Sequence, residues 1–401
     1  MKVIIKPSIA NGEITAPPSK SYAHRLLICS ALAKGVSTIN GVINSKDMEA
    51  TLNCIKSLGA SYTKENDTVI VNSENSIKNE ISEFYCNESG STLRFFIPIA
   101  LAFGGINKFY GTEKLLSRGL DVYYDICKSQ GIKVTNELDS VTFEGELNHG
   151  TFNVRGDISS QFISGLLFAL PLLNGDSVIN ITTTLESAGY IDITLDTLKT
   201  FGIEINRDGN TFFVKGNQKY QPQSVTTEGD MSNAAFLDAF NILGGNVSVI
   251  GCNSNTYQAD KVYLQHMQSI KNSTPEIDLS NCPDLAPVLF ALASSQNGAT
   301  FIGTKRLKIK ESDRAEAMAL ELKKFGIDVN VYENSVVVNK GEIKKPTEAL
   351  YGHNDHRIVM SLAILSSICG GEIEGCEAVS KSYPAFFEDI KSLGIKWEIV
   401  E

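Results

Sequence analysis

The chain has 401 residues, a formal net charge of −10, and 42% hydrophobic against 20% charged residues. At roughly one domain per 150 residues it is long enough for two or three cores, and its composition excludes a disordered or collagen-like chain. The acidic balance excludes a broad nucleic-acid or anionic-membrane surface, because neutralising a phosphate array needs a wide basic face, so any anion site must be local.

No apolar run approaches the ~18 to 20 residues of a membrane span. The start "MKVIIKPSIANG" has three apolar residues between lysines, lacks the apolar centre of a secretory signal, and leads us to expect a cytoplasmic protein. The eight cysteines, at 29, 54, 86, 127, 252, 282, 369 and 376, form no C-x-x-C and have no paired His, so reduced structural thiols are expected, with neither zinc nor disulfides.

In chain order, the first predicted element is the strand "KVIIKP", which precedes any repeat and could pair back into the last one. Next comes "ITAPPSKSYAHR", two prolines that stiffen the chain ahead of Lys20, Ser21 and Arg25. From there an apolar helical run ending in Gly and followed by a β-branched strand recurs six times, from "RLLICSALAKGVSTINGV" to "IVMSLAILSSICGGEIEGC". The closing glycines are Gly35, Gly105, Gly175, Gly245, Gly298 and Gly371, spaced by 70, 70, 70, 53 and 73 residues. Between them falls a second pattern, an amphipathic helix, Gly, and two strands around a turn, as in "TLKTFGIEINRDGNTFFV". Only the fourth copy, near "HMQSIKNSTPEIDLS", is degenerate, as its short spacing requires. A fixed period of this kind decides the architecture. Three units fit in 18–226 and three in 227–401 together with 1–17, with crossings at "TAPPS" and at the polar "NQKYQPQSVTTEGD".

The helix that opens each unit is apolar on every side and predicted to be buried, yet the six starts read "SKSYAHR", "ESGSTLR", "DISSQF", "EGDMSN", "NCPDLA" and "HNDHRI". Capping accounts for Ser159, Asp230, Ser232 or Asp284 taken singly. It does not account for Lys20, Arg25, Arg94 and Arg357, since a cation opposes the positive end of the helix dipole, and an external anion, phosphate or carboxylate, is expected to answer them. The run "RLKIKESDRAEAM" reads as a solvated charged face or as a strand-to-helix loop bearing Lys310, Glu311 and Arg314, a set suited to proton transfer beside a bound anion.

Together "PPSKSYAHR", "ESGSTLR", the "SR" at 117–118, "SSQF", "GYIDITL", "EGDMSNAAF", "KESDR", "NDHR" and "SKSYP" resemble the 5-enolpyruvylshikimate-3-phosphate synthases of the enolpyruvyl transferase family, in the family's order and over nearly the whole chain. The resemblance implies an α/β fold, a two-lobed inside-out α/β barrel of six βαβαββ repeats that closes on its substrates. It implies transfer of the enolpyruvyl group of phosphoenolpyruvate to the 5-hydroxyl of shikimate 3-phosphate through a tetrahedral intermediate, as a monomer, without cofactor or metal, and with glyphosate as a competitor of phosphoenolpyruvate. Shikimate 3-phosphate would be held by Ser21, Arg25, Ser159, Ser160, Gln161, Ser187, Tyr190, Asp284 and Lys310. Phosphoenolpyruvate would be held by Lys20, Gly90, Arg94, Arg118, Arg314, Arg357 and Lys381, with His356 also at the substrate. Asp284 resembles the base, Glu311 the acid, and Lys20 a further acid/base group. Arg306 stands where many relatives carry Asn and receives no role.

Two rivals remain. Enolpyruvyl transfer to a UDP-amino sugar goes with a reactive Cys five residues before the arginine equivalent to Arg118, where this chain has Glu113. A non-catalytic phosphometabolite-binding protein would keep the arginines but has no need of Lys20, Asp284 and Glu311 together.

Overall fold

The structure, a computed structural model, describes residues 1–74 and 81–400. They form two compact units: a first unit Pro18–Glu228, and a second unit built from Met1–Pro17 and Gly229–Glu401.

In the first unit each repeat contributes one four-stranded sheet of the same mixed order. Ser224–Thr226 runs parallel to Val36–Asn40, which pairs antiparallel with Thr68–Asn72, itself antiparallel to Ser61–Glu65. Ile81–Tyr85 and Ile106–Tyr110 begin the second sheet in the same way, and Thr151–Val154 and Ser177–Ile181 the third. The hairpins turn where the sequence places residues that tolerate the left-handed region, at Asn66 (φ 55°) and Gly209 (φ 54°).

The second unit repeats this order in two of its three sheets. One starts with Glu276–Asp278 beside Ala299–Ile302. In the other, the amino-terminal strand Lys2–Lys6 lies antiparallel between Gly371–Glu374 and Lys396–Val400, so "KVIIKP" does pair back into the last repeat. The fourth repeat keeps only the parallel pair Asn246–Ile250 and Asn11–Thr15, the structural counterpart of its short spacing.

Inside each unit the sheets cover three apolar helices: α1 (Lys20–Leu32), α2 (Gly90–Phe103) and α3 (Ser160–Ala169) in the first, and α4 (Met231–Ile242), α5 (Ala286–Ser295) and α6 (His356–Cys369) in the second. Each unit has its own continuous core, to which each of these helices contributes several large side chains. Helices that are apolar all round can only be stable surrounded in this way, which leaves their first turns to carry the polar chemistry. Among the described residues no helix is long and apolar enough to cross a membrane, and no group of three or more His, Cys, Asp and Glu is arranged to hold a metal ion.

Pro98 lies inside α2. A proline there has no N–H for the carbonyl four residues earlier, which is that of Arg94. The phenol of Tyr123, 2% exposed, replaces the missing donor and bonds Arg94 O at 2.5 Å. Gly165 of α3 faces the same spot, where a Cβ would collide with the Tyr123 hydroxyl and Arg94 O. Tyr123→Phe therefore strands a buried carbonyl, and we expect a loss of about 1–3 kcal/mol in urea unfolding with an unchanged m value. A midpoint equal to that of the parent would contradict this account.

Candidate active site

In the first unit, α1, α2 and α3 are capped by Ser19, Ser89 and Ser159, whose hydroxyls accept from Tyr22 N, Thr92 N and Gln161 N. The capping reading thus holds for Ser159, and the cations beside these caps need separate partners. Lys20 Nζ lies 2.9 Å from Asp47 Oδ2, on the helix Lys46–Ser57. Arg25 is 3% exposed and makes three bonds, to Thr194 Oγ1 (2.8 Å), Ser21 O (2.7 Å) and Tyr190 O (3.0 Å), all neutral acceptors. Burial lowers its guanidinium to about 10. Ser187, just ahead of the helix that carries Tyr190 and Thr194, is buried and left-handed (φ 56°), a conformation a non-glycine residue holds only under constraint.

At the start of α2, Arg94 donates to Gln161 Oε1 (2.9 Å) and to the carbonyls of Arg118 (3.1 Å) and Gly119 (3.2 Å), while Gln161 Nε2 donates to Ser91 Oγ (2.9 Å). A Cβ on Gly90 would stand 2.9 Å from Arg118 Nη1 and 3.0 Å from Arg94 Nη1. Two guanidinium groups thus stand close to the Gly90 α-carbon. The first unit thus brings together Lys20, Ser21, Arg25 and Tyr190 on one side, and Gly90, Arg94, Arg118 and Gln161 on another. Ser159 and Ser160 sit at the start of α3, which supplies Gln161.

The second unit answers Lys310, Arg314 and Arg357 with carboxylates. Asp284, in the short turn before α5, receives Lys310 Nζ at 3.2 Å, Arg314 Nη1 at 2.7 Å and Arg357 Nη2 at 3.0 Å. Arg314, 1% exposed, also bonds Glu311 Oε2 (2.7 Å) and Asp355 Oδ2 (2.9 Å). Arg357 reaches Ser232 Oγ (3.0 Å), whose hydroxyl donates to Asp230 Oδ1 at 2.6 Å. Lys381 donates to Asn354 O at 2.8 Å. Asn354 (φ 53°) follows His353 (φ 49°), two left-handed residues that deliver the chain into α6. His356, the first residue of α6, is 1% exposed with Nδ1 3.9 Å from Asp355 Oδ1. Arg306 donates to Ser280 O at 2.7 Å.

Burial alone would raise Asp284, but Arg357, Lys310 and Arg314 overcome it and hold the carboxyl well below the usual range. Burial lowers Lys310, and Asp284 opposes that shift. Arg357, the cation at the start of α6, is paired within the chain with Asp284. Three carboxylates that contact or couple to candidate site residues escaped sequence reasoning. Asp355 lay inside the quoted "NDHR" without a role. Asp47 had a signal, an acid in the first turn of a helix after Ser45, which reads as ordinary capping. Asp260 had none, because it lies in the degenerate fourth repeat. Its short turn is anchored by Gln258, which accepts from Met231 N (3.0 Å) and donates to Gly229 O (2.8 Å) at the start of α4.

The chain matches the family model for EPSP synthase (3-phosphoshikimate 1-carboxyvinyltransferase) over residues 4–390. It is 44% identical to a 3-phosphoshikimate 1-carboxyvinyltransferase of Clostridium perfringens (strain 13 / Type A), covering 98% of each chain. It is 43% identical to one of Clostridium kluyveri, over 98% of this chain and 97% of that one. Among solved structures, an EPSP synthase from Acinetobacter baumannii superposes with a TM-score of 0.81 over the full length of both chains at 22% identity.

Asp260 is 4% exposed. Burial pushes it up to about 7, with Asp284 and Asp230 adding to the rise and Arg357 and Lys310 opposing it. A carboxyl raised on folding is better protonated in the native state, so stability falls as pH rises from the unfolded value near 4 through 7. Asp260→Asn removes this penalty. Its melting temperature relative to the parent should therefore increase between about pH 5 and pH 8. A pH-independent difference would show that Asp260 does not titrate against this cluster.

Proposed function

Because this chain belongs to the EPSP synthase family, we infer that the clustered side chains of its two units carry that family's reaction. The chain is a 3-phosphoshikimate 1-carboxyvinyltransferase: it transfers the carboxyvinyl group of phosphoenolpyruvate to the 5-hydroxyl of shikimate 3-phosphate and releases phosphate. The hydroxyl oxygen adds to C2 of phosphoenolpyruvate while C3 gains a proton. The tetrahedral ketal then expels phosphate as C3 loses a proton and the double bond returns. A C–O bond breaks and the P–O bonds survive, so the work falls to proton transfer and charge stabilisation.

Within the second unit, Asp284 takes the hydroxyl proton and Glu311 delivers the proton to C3. One observation carries this reading: Lys310, Arg314 and Arg357 converge on Asp284, and Arg314 holds Glu311 at the same time. A carboxylate gripped by three cations is a weak base, because each cation favours its ionised form. An incoming anion that competes for those cations releases Asp284 toward a higher pKa when the substrate's hydroxyl must give up its proton. Arg314, Arg357 and Lys381 take the anionic groups of phosphoenolpyruvate in this unit.

In the first unit Arg25, a buried cation bonded to neutral oxygens, takes the phosphate of shikimate 3-phosphate, helped by Ser21, Ser159, Ser160, Gln161, Ser187 and Tyr190. Lys20, Gly90, Arg94 and Arg118 serve phosphoenolpyruvate. An anion stabilises a buried guanidinium far more than neutral acceptors do.

Glu311→Gln keeps the size and hydrogen-bonding reach of the side chain but cannot supply a carboxylic proton. We expect both substrates to bind as in the parent, while phosphate release falls by about 10²–10⁴-fold. An unchanged kcat would remove Glu311 from the chemistry. Release that requires a UDP-amino sugar in place of shikimate 3-phosphate would overturn the acceptor.

A further inference from the structure

The imidazole of His24 takes no part in the contacts described so far. It lies on α1 one turn beyond Lys20, is 1% exposed, and has Nδ1 2.7 Å from Thr51 Oγ1 on the helix Lys46–Ser57. Lys20 and Asp47 join the same two helices, so the pairs 20–47 and 24–51 are successive rungs, each four residues on from the last and on one face of each helix. Thr51 Oγ1 lies 2.8 Å from Thr92 Oγ1, in the first turn of α2. Thr92 Oγ1 donates to Ser89 Oγ, the cap of α2, at 2.7 Å, and Thr92 N donates to the same oxygen at 3.3 Å.

Counting protons fixes the direction of this chain. A hydroxyl has one proton to give. Thr92 gives its proton to Ser89, so Thr51 supplies the proton between the two threonines, and His24 Nδ1 must supply the one shared with Thr51. The other ring nitrogen, Nε2, is buried and has no hydrogen-bond partner among the described residues. A proton there would be a stranded donor, whereas a bare lone pair costs less. Burial, with Lys20 and Arg25 adding to it, holds the imidazole well below the usual range of a histidine, so it is neutral.

We propose that His24 is a positioning residue: as the neutral Nδ1–H tautomer it starts a one-way donor chain through Thr51 and Thr92 that fixes Ser89, and with it the start of α2 between the Arg94 and Arg118 guanidinium groups. The proposal rests on the reading of that helix start as a subsite for an anionic group of phosphoenolpyruvate. The clearance around Gly90 makes the subsite sensitive to small movements, since the two guanidinium groups stand only 2.9 and 3.0 Å from where a Cβ would be. Position 92 lies one turn from the cap and two residues beyond Gly90, so a shift of the Thr92 hydroxyl is passed directly to the N–H groups facing the anion. The helix Lys46–Ser57 holds both rungs, and through it the placement of Lys20 on α1 and of Gly90 on α2 share one support.

Three variants separate the chain from simple packing. His24→Asn puts an amide N–H where Nδ1–H was, His24→Gln puts it where Nε2 was, and His24→Leu fills the volume without a donor. Steady-state kinetics should show KM for phosphoenolpyruvate raised roughly tenfold in His24→Leu and His24→Gln, with KM for shikimate 3-phosphate little changed, and restored near the parent value in His24→Asn. A proton–nitrogen correlation spectrum of the histidine rings should show His24 as a neutral Nδ1–H tautomer that does not titrate between about pH 6 and 8. An Nε2–H tautomer, or Asn as impaired as Leu, overturns the proposal. Arg94→Ala is the control for the underlying reading. If Arg94→Ala destroys phosphoenolpyruvate binding and His24→Leu does not, the donor chain has no such role. If neither variant affects it, the assignment of the α2 start falls and takes the proposal with it.

Discussion

Much of the second unit is organised around the need to pair one buried carboxylate. Asp284 carries three cations that arrive from two distant parts of the chain: Lys310 and Arg314 from the "KESDR" run, Arg357 from the first turn of α6. A charge buried without partners would neutralise itself or cost several kcal/mol, so these contacts fix where the loop and the helix start must sit. Arg314 extends the constraint, since its remaining nitrogens hold Glu311 and Asp355, and Asp355 in turn caps α6 through Arg357 N. Glu311, Asp284 and the cap of α6 are therefore held together through Arg314.

The first unit solves the same problem differently, and the contrast bears on what it binds. Arg25 is as deeply buried as Arg357, yet its bonds go to a threonine hydroxyl and two carbonyls. Its charge is solvated but not balanced, and burial shows in a guanidinium lowered to about 10. A site balanced by its own carboxylates, like that of the second unit, must release them before an anion can enter. A site held by dipoles is ready to receive an anion and gains most from one of high charge density, such as a phosphate.

Most of the fold was legible because it repeats. The glycine spacing gave the number and order of the inner helices, the short fourth interval marked the repeat that keeps two strands, and the amino-terminal strand, which could pair back into the last repeat, does so. Candidate site residues stood out where an unusual residue held an ordinary place, as with Arg25, Arg94 and Arg357 at helix starts. What escaped were groups that look ordinary in sequence and become special through a distant partner. Asp47 reads as a first-turn acid until Lys20 meets it across 27 residues. Tyr123 reads as a core aromatic until Pro98 leaves the Arg94 carbonyl open. Asp260 falls in the one repeat whose pattern had decayed, so no register pointed to it.

On the reading proposed above, the pairing that organises the second unit also explains how a strongly depressed carboxyl serves as a base. Asp284 is held ionised because Lys310, Arg314 and Arg357 share it, and on that reading the same three groups host the incoming anion. Each bond they transfer to the ligand is a bond withdrawn from Asp284, whose burial then acts with less opposition and raises its affinity for a proton. Basicity is thereby tied to occupancy on the proposed reading, since the anion that reacts is the one that frees the base. Asp260, pushed up to about 7 by burial and the neighbouring Asp284 and Asp230, adds a second carboxyl whose protonation follows the same charges. A cluster of this kind binds its substrate and sets its proton inventory through one set of contacts, which is why removing a single cation should disturb affinity and acid–base behaviour together.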